Sequence, residues 1–197
     1  MPAVDTRTWL IIAAIVIAAL IILVAWLSYK RNQSRKLQKR FGPEYGKSVH
    51  DLGSRTKAEA ELKAREQRVE QLNLVPLDPS DVERFRETWE ELQGHFVDSP
   101  KNTVSQADEL VMELMSKRGY PMTDFERRAA DISVNHPSVV TRYRAAQAIA
   151  VRNELGQADT EELREALVHY RALFNELLEV NGERHEVIEE EKLRMAQ

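Results

Sequence analysis

Hydrophobic positions follow three different patterns along the chain. From Trp9 to Leu27 the sequence reads WLIIAAIVIAALIILVAWL, nineteen residues without a charge, a proline or a glycine. At the helical rise such a stretch spans about 28 Å, close to the roughly 30 Å hydrocarbon core of a bilayer. No helical period gives it a polar face, so the pattern predicts a transmembrane helix over 9–27 and not the core helix of a soluble domain. Trp9 and Trp26 sit at its two ends, where indole rings favour the headgroup boundary. The apolar region is longer than the roughly 7–15 residues of a signal peptide. The 1–8 leader offers only Arg7, offset by Asp5, and the exit Trp26-Leu27-Ser28-Tyr29-Lys30 has no small-residue cleavage pattern. The helix is therefore expected to be retained.

The second pattern is sparse. Gly42-Pro43 breaks or restarts the helix, and Phe41, Tyr45 and Val49 recur at spacing four. Over 54–72 the chain is rich in helix formers, and Ala58, Leu62, Val69 and Leu72 mark a narrow stripe that Arg65 interrupts. This predicts a solvated helical stalk over 41–73, too short for a firm coiled-coil assignment. Asn73 to Pro79 contains two prolines and marks a boundary.

The third pattern is amphipathic and repeated. Asp78-Pro79 starts a helix whose Val82, Phe85, Trp89, Leu92 and Phe96 alternate at spacings of three and four. Ser99-Pro100 opens a second, with Val104, Ala107, Leu110, Val111, Leu114 and Met115 on one face and Gly119 at its end. Thr123-x-x-Glu126 matches a capping box before Phe125, Ala129 and Ile132. His136-Pro137 starts a helix carrying Val140, Tyr143, Ala146 or Gln147, and Ala150. Asp159-x-x-Glu162 caps the last, with Leu163, Ala166, Leu167, Tyr170, Phe174 and Leu177. No strand alternation is present. The expected fold is all-α: a transmembrane helix, a stalk, a compact antiparallel bundle of about five helices over 79–180, and a charged tail over 183–197.

Charge adds orientation. Residues 28–40 hold Lys30, Arg31, Arg35, Lys36, Lys39 and Arg40 and no acid, which by the positive-inside rule places the C-terminal side in the cytoplasm and the N-terminus outside. With Trp9 and Trp26 these six are the candidate membrane-anchoring residues, and lipid is the expected partner. Residues 73–197 hold fifteen basic and twenty-five acidic residues, which argues against a nucleic-acid surface. The chain has no cysteine, so disulfides, thiol nucleophiles and thiolate metal sites are absent.

Motifs for catalysis are missing: no Gly-rich phosphate loop, no GxSxG and no HExxH. Glu91 with His95 and Glu165 with His169 share a spacing of four, too weak to indicate a metal, and no cofactor is indicated. The densest mix of aromatics and charge lies in 119–146, where Tyr120, Phe125, Arg127, Arg128, His136, Arg142, Tyr143 and Arg144 form a candidate interaction corner. It reads either as a packed helical corner or as a protein-binding groove.

The runs RFGPEY (40–45), GYP (119–121), DFERRAADISVNHP (124–137) and HYRALFNELL (169–178) resemble a set of bacterial proteins described only as membrane or secreted. The resemblance implies a bacterial source, one N-terminal apolar helix and a helical body, and it supplies no activity. The expected function is a non-enzymatic, single-pass inner-membrane protein displaying an acidic scaffold or adaptor domain. Another protein is the expected partner, and self-association through the transmembrane helix or stalk is a further expectation. The alternative is an exported or membrane-tethered enzyme with a helical site near His136, Arg142 and Arg144.

Overall fold

A computed structural model describes residues 6–179. The described residues form eight helices and no strand: α1 Thr6–Phe41, α2 Pro43–Leu52, α3 Arg55–Glu70, α4 Pro79–Gly94, α5 Pro100–Lys117, α6 Phe125–Asn135, α7 Pro137–Glu154 and α8 Thr160–Glu179. The chain divides into two units, residues 1–40 and 41–197. The expected tail over 183–197 lies outside the described residues.

The described residues of the first unit form a single helical stretch. α1 runs unbroken through both the apolar segment and the basic segment after it. It ends where Gly42 takes a positive φ of 48° and Pro43 occupies the first position of α2, as the Gly-Pro pair requires.

In the second unit the expected amphipathic faces are the buried ones. Phe85, Trp89 and Leu92 of α4, all six apolar positions named for α5, and Leu163, Ala166, Leu167, Tyr170, Phe174 and Leu177 of α8 belong to one continuous core. α8 packs on α5 and α7, α4 on α5, and α6 on α7. Aromatic contacts link these layers. Trp89 and Phe174 stack with ring centroids 4.6 Å apart, and Tyr143 stands 4.9 Å from Phe125 and 6.4 Å from Tyr170. The buried Arg118 donates from Nη1 to the Leu177 carbonyl at 2.8 Å, placing a cation on the last turn of α8.

The caps divide between expectation and correction. Asp159 and Glu162 form a reciprocal capping box at α8: Glu162 N donates to Asp159 Oδ1 at 2.8 Å, and Asp159 N to Glu162 Oε2 at 3.0 Å. At α6 the cap falls one residue later than the Thr123 box. Asp124 is the N-cap and accepts from Arg127 N at 3.0 Å, while Glu126 is drawn away to Arg144.

The 41–73 segment differs from a solvated stalk. α2 and α3 pack against each other, α3 packs on α6, and α2 on α7. The physical reason is that Phe41, Tyr45, Ala58, Leu62 and Val69 are buried, so the narrow stripe is an interior seam. The hairpin is closed by polar contacts: Tyr45 Oη donates to Glu59 Oε1 at 2.8 Å and accepts from Arg55 Nε at 2.8 Å.

Gly119 joins this region to the bundle. It ends α5 at φ 89°, and a Cβ there would lie 2.5 Å from the Asn73 carbonyl oxygen, a backbone atom. Gly119→Ala is expected to destabilise the second unit by about 2 kcal/mol or more, from left-handed strain and backbone displacement together. Urea denaturation of the full chain in detergent, followed by tryptophan fluorescence, measures the loss.

Candidate functional site

The first candidate is the surface of α1. Every side chain from Ile15 to Asn32 is exposed, including Ile21, Ile22, Val24 and Trp26, and Ile22 is 69% exposed. A helix apolar all round and uncovered by protein fits a lipid environment, in which its backbone groups are satisfied internally. Ile15–Phe41 is long and apolar enough to cross a membrane. At its polar end Lys30 Nζ lies 5.4 Å from the Trp26 ring centroid, pairing a cation with the interfacial indole. Trp9 and all six basic anchoring residues are exposed.

The second candidate is a charged cleft of about 320 Å³ lined by residues of α2, α3, α6 and α7. Its centre is Glu44, 2% exposed. Arg144 donates to both Glu44 oxygens, Nε at 3.2 Å and Nη2 at 3.4 Å, and Arg65 Nη1 lies 3.5 Å from Oε2. Arg144 also holds Glu126, Arg65 holds Glu61, and Lys47 holds Asp51. Burial disfavours the Arg144 charge, yet its hydrogen bonds to Glu44 and Glu126 outweigh this and raise its pKa. Five basic and five acidic residues line the cleft, and Asp124, the one acid outside these pairs, caps α6. The pairs at Glu44 and Arg144 cross between α2, α3, α6 and α7 and tie the four helices together.

The eight residues of the interaction corner do not share one surface. Tyr120, His136 and Tyr143 are buried. Phe125 and Arg128 are half-buried beside Tyr143, with Arg128 Nε 3.5 Å from Tyr143 Oη. Arg127 and Arg144 line the cleft, Arg142 is exposed elsewhere on α7, and His136 Nδ1 lies 3.1 Å from Glu176 Oε1 on α8. His136, Arg142 and Arg144 therefore do not converge.

Two features escaped sequence reasoning. One is a groove of about 350 Å³ between α4 and α5, with Leu92 and Leu110 at its base and Glu91, Glu109, Glu113 and His95 among its lining residues. A second hollow of about 240 Å³ lies next to it and shares His95 and Gln106 with it. Glu113 is paired with Arg84 at 3.0 Å. The other is a polar cluster in which half-buried Asp108 lies beside the buried Tyr143 and Tyr170. Asp108 Oδ1 has no hydrogen-bond partner. Burial raises the Asp108 pKa, against the Tyr170 hydrogen bond and the Arg128 charge, and burial raises both tyrosines. A lone acid amid apolar helices carries no sequence signal, because the heptad-scale pattern places Asp108 beside the core stripe.

These features define an all-helical protein with one candidate membrane-spanning helix and a packed, ion-paired body. No protein family matches the chain, and comparison with curated proteins and with solved structures gives no match.

Asp108 makes stability pH-dependent in a stated direction. Its folded pKa lies above the unfolded value, so the unfolded chain loses this proton first as pH rises, and folding is penalised above that window. Asp108→Asn removes the penalty. The variant is expected to be more stable than wild type at pH 7 by on the order of 1 kcal/mol, the difference vanishing below about pH 4. Paired urea titrations across this range measure it.

Proposed function

We propose that the protein is a single-pass membrane protein that holds a helical protein-binding body at the cytoplasmic face of a bacterial inner membrane, and that it acts as a scaffold or adaptor and not as a catalyst. The observation that carries the reading is the exposed apolar surface of α1 from Ile15 to Leu27, followed on the same helix by six basic residues and no acid. Lipid covers the first, and the positive-inside rule turns the second toward the cytoplasm. Tethering raises the local concentration of the body for membrane-proximal partners. The α4–α5 groove supports a partner with a basic, partly apolar segment, since Leu92 and Leu110 line it together with three glutamates and no Lys or Arg. An enzymatic reading built on His136, Arg142 and Arg144 finds no support in their placement.

Because the chain lacks cysteine, Val97→Cys provides a unique thiol at a position 89% exposed. In cells with a permeabilised outer membrane, a maleimide unable to cross the inner membrane should label this variant only after lysis, and alkaline carbonate should leave the protein in the membrane pellet. Labelling before lysis would place the body outside, and extraction by carbonate would refute the anchor. For the partner, a photo-crosslinking side chain at Gln106 should trap a discrete protein adduct in cells, lost when Glu91 and Glu109 are changed to lysine. Crosslinks indifferent to those charge reversals would remove the groove from the reading.

A further inference from the structure

The α2–α3 hairpin is attached to the body by buried ion pairs as well as by a short apolar seam of its own. The continuous core begins at Leu77, ends at Leu178 and draws on α4 to α8. The buried Phe41, Tyr45, Ala58, Leu62 and Val69 of the hairpin region lie outside that core. Two ion pairs tie the hairpin to α6 and α7: Arg144 on Glu44, and Arg68 Nε on Asp131 Oδ1 at 3.1 Å. Both acids are almost fully buried, 2% and 1% exposed, and Asp131 Oδ2 has no hydrogen-bond partner. Attraction across such a seam is largely offset by desolvation, so it adds little net stability. Losing one partner strands a buried charge.

The two ends of the hairpin are fixed differently. Its C-terminal end is pinned to the bundle: Leu72 and Leu74 pack on the core, Leu77 belongs to it, and Val75 N donates to the Arg118 carbonyl at 3.1 Å. At its N-terminal end Gly42 sits at a positive φ between α1 and α2. Between these points lie two helices joined at Gly53, itself at φ 60°.

We propose that α2–α3 is a releasable strap, which opens from α6 and α7 as a unit while the α4–α8 bundle stays folded. In the open state Glu44, Asp131, Arg65, Arg68 and Arg144 regain water. Leu62 and its apolar neighbours lose their cover, which keeps the closed form dominant. The strap's 26 helical residues, swung out end to end, add about 39 Å of reach. Opening therefore lengthens the connection between the end of α1 and the α4–α8 bundle, so that the bundle searches a larger volume. That consequence rests on the membrane-anchored reading, whereas the opening itself does not.

Hydrogen exchange of the full chain in detergent micelles, read by mass spectrometry, tests the opening independently of topology. Amides of α2 and α3 are expected to exchange through an opening less costly than that of α5 and α8. Glu44→Gln and, separately, Arg68→Gln should each accelerate exchange in α2 and α3, by on the order of a hundredfold for Glu44, without changing α5 and α8. The protection of α5 and α8 also reports that each variant is folded. The proposal is overturned if wild-type α2–α3 and α5–α8 exchange together as one cooperative unit, if both variants accelerate all helices alike, or if neither alters the hairpin.

Discussion

Glu44 holds together a part of the fold that apolar packing alone does not. It sits near the start of α2, almost fully buried, with Arg144 of α7 on both of its oxygens and Arg65 of α3 close to one. Through Arg144 the network extends to Glu126 of α6. A carboxylate removed from water must be matched by charged donors of good geometry, and a planar guanidinium on both oxygens is the arrangement that best supplies them. The requirement has a structural consequence. Each arginine at Glu44 also holds a second acid, Arg144 on Glu126 and Arg65 on Glu61. These ionic groups tie α2, α3, α6 and α7 to one another.

The same network explains what could be read from the sequence and what could not. The faces of α5 and α8 were legible because burial there follows the 3.6-residue period, and every residue on the stripe is apolar. The hairpin was not, because its buried face carries Arg65 and Arg68, and a pattern reading assigns charge to solvent. Arg65 interrupts the Ala58–Leu62–Val69 stripe because it turns inward to Glu44. The interruption was visible, but its meaning depends on a glutamate on another helix. The 119–146 corner failed for a related reason. Arg127 and Arg128 are adjacent in sequence, yet one lines the cleft while the other hydrogen-bonds Tyr143 and the Thr123 carbonyl. Arg142 and Arg144 separate likewise, because two residues along a helix is more than half a turn. Density along the chain is not density in space.

Cap placement shows the competition at smaller scale. Thr123 and Asp124 both precede α6, and the aspartate prevails because its carboxylate also suits the positive end of the helix dipole. The Thr123 carbonyl is then left to accept from Arg128. At α8 Thr160 stands beside Asp159 but has Leu163 three residues on, so only Asp159 has a box partner in Glu162, and the box forms as its spacing predicts.

The basic segment of α1 is more graded than its composition implies. It is carried on one continuous helix, so distance from the apolar segment is fixed by the rise per residue. With Trp9–Leu27 spanning a bilayer along its normal, Lys30 and Arg31 lie about 5–6 Å beyond Leu27, at headgroup depth. Arg35 and Lys36 lie about 12–14 Å out, and Lys39 and Arg40 about 18–20 Å. The screening length at physiological salt is about 8 Å. Attraction to anionic lipid therefore falls mainly on the first pair, and the last pair is effectively beyond it. On the membrane-anchored reading proposed above, orientation and lipid attraction are then separable along one helix: the whole segment would act in the topology signal, while Lys30 and Arg31, the former beside Trp26, would meet the headgroups.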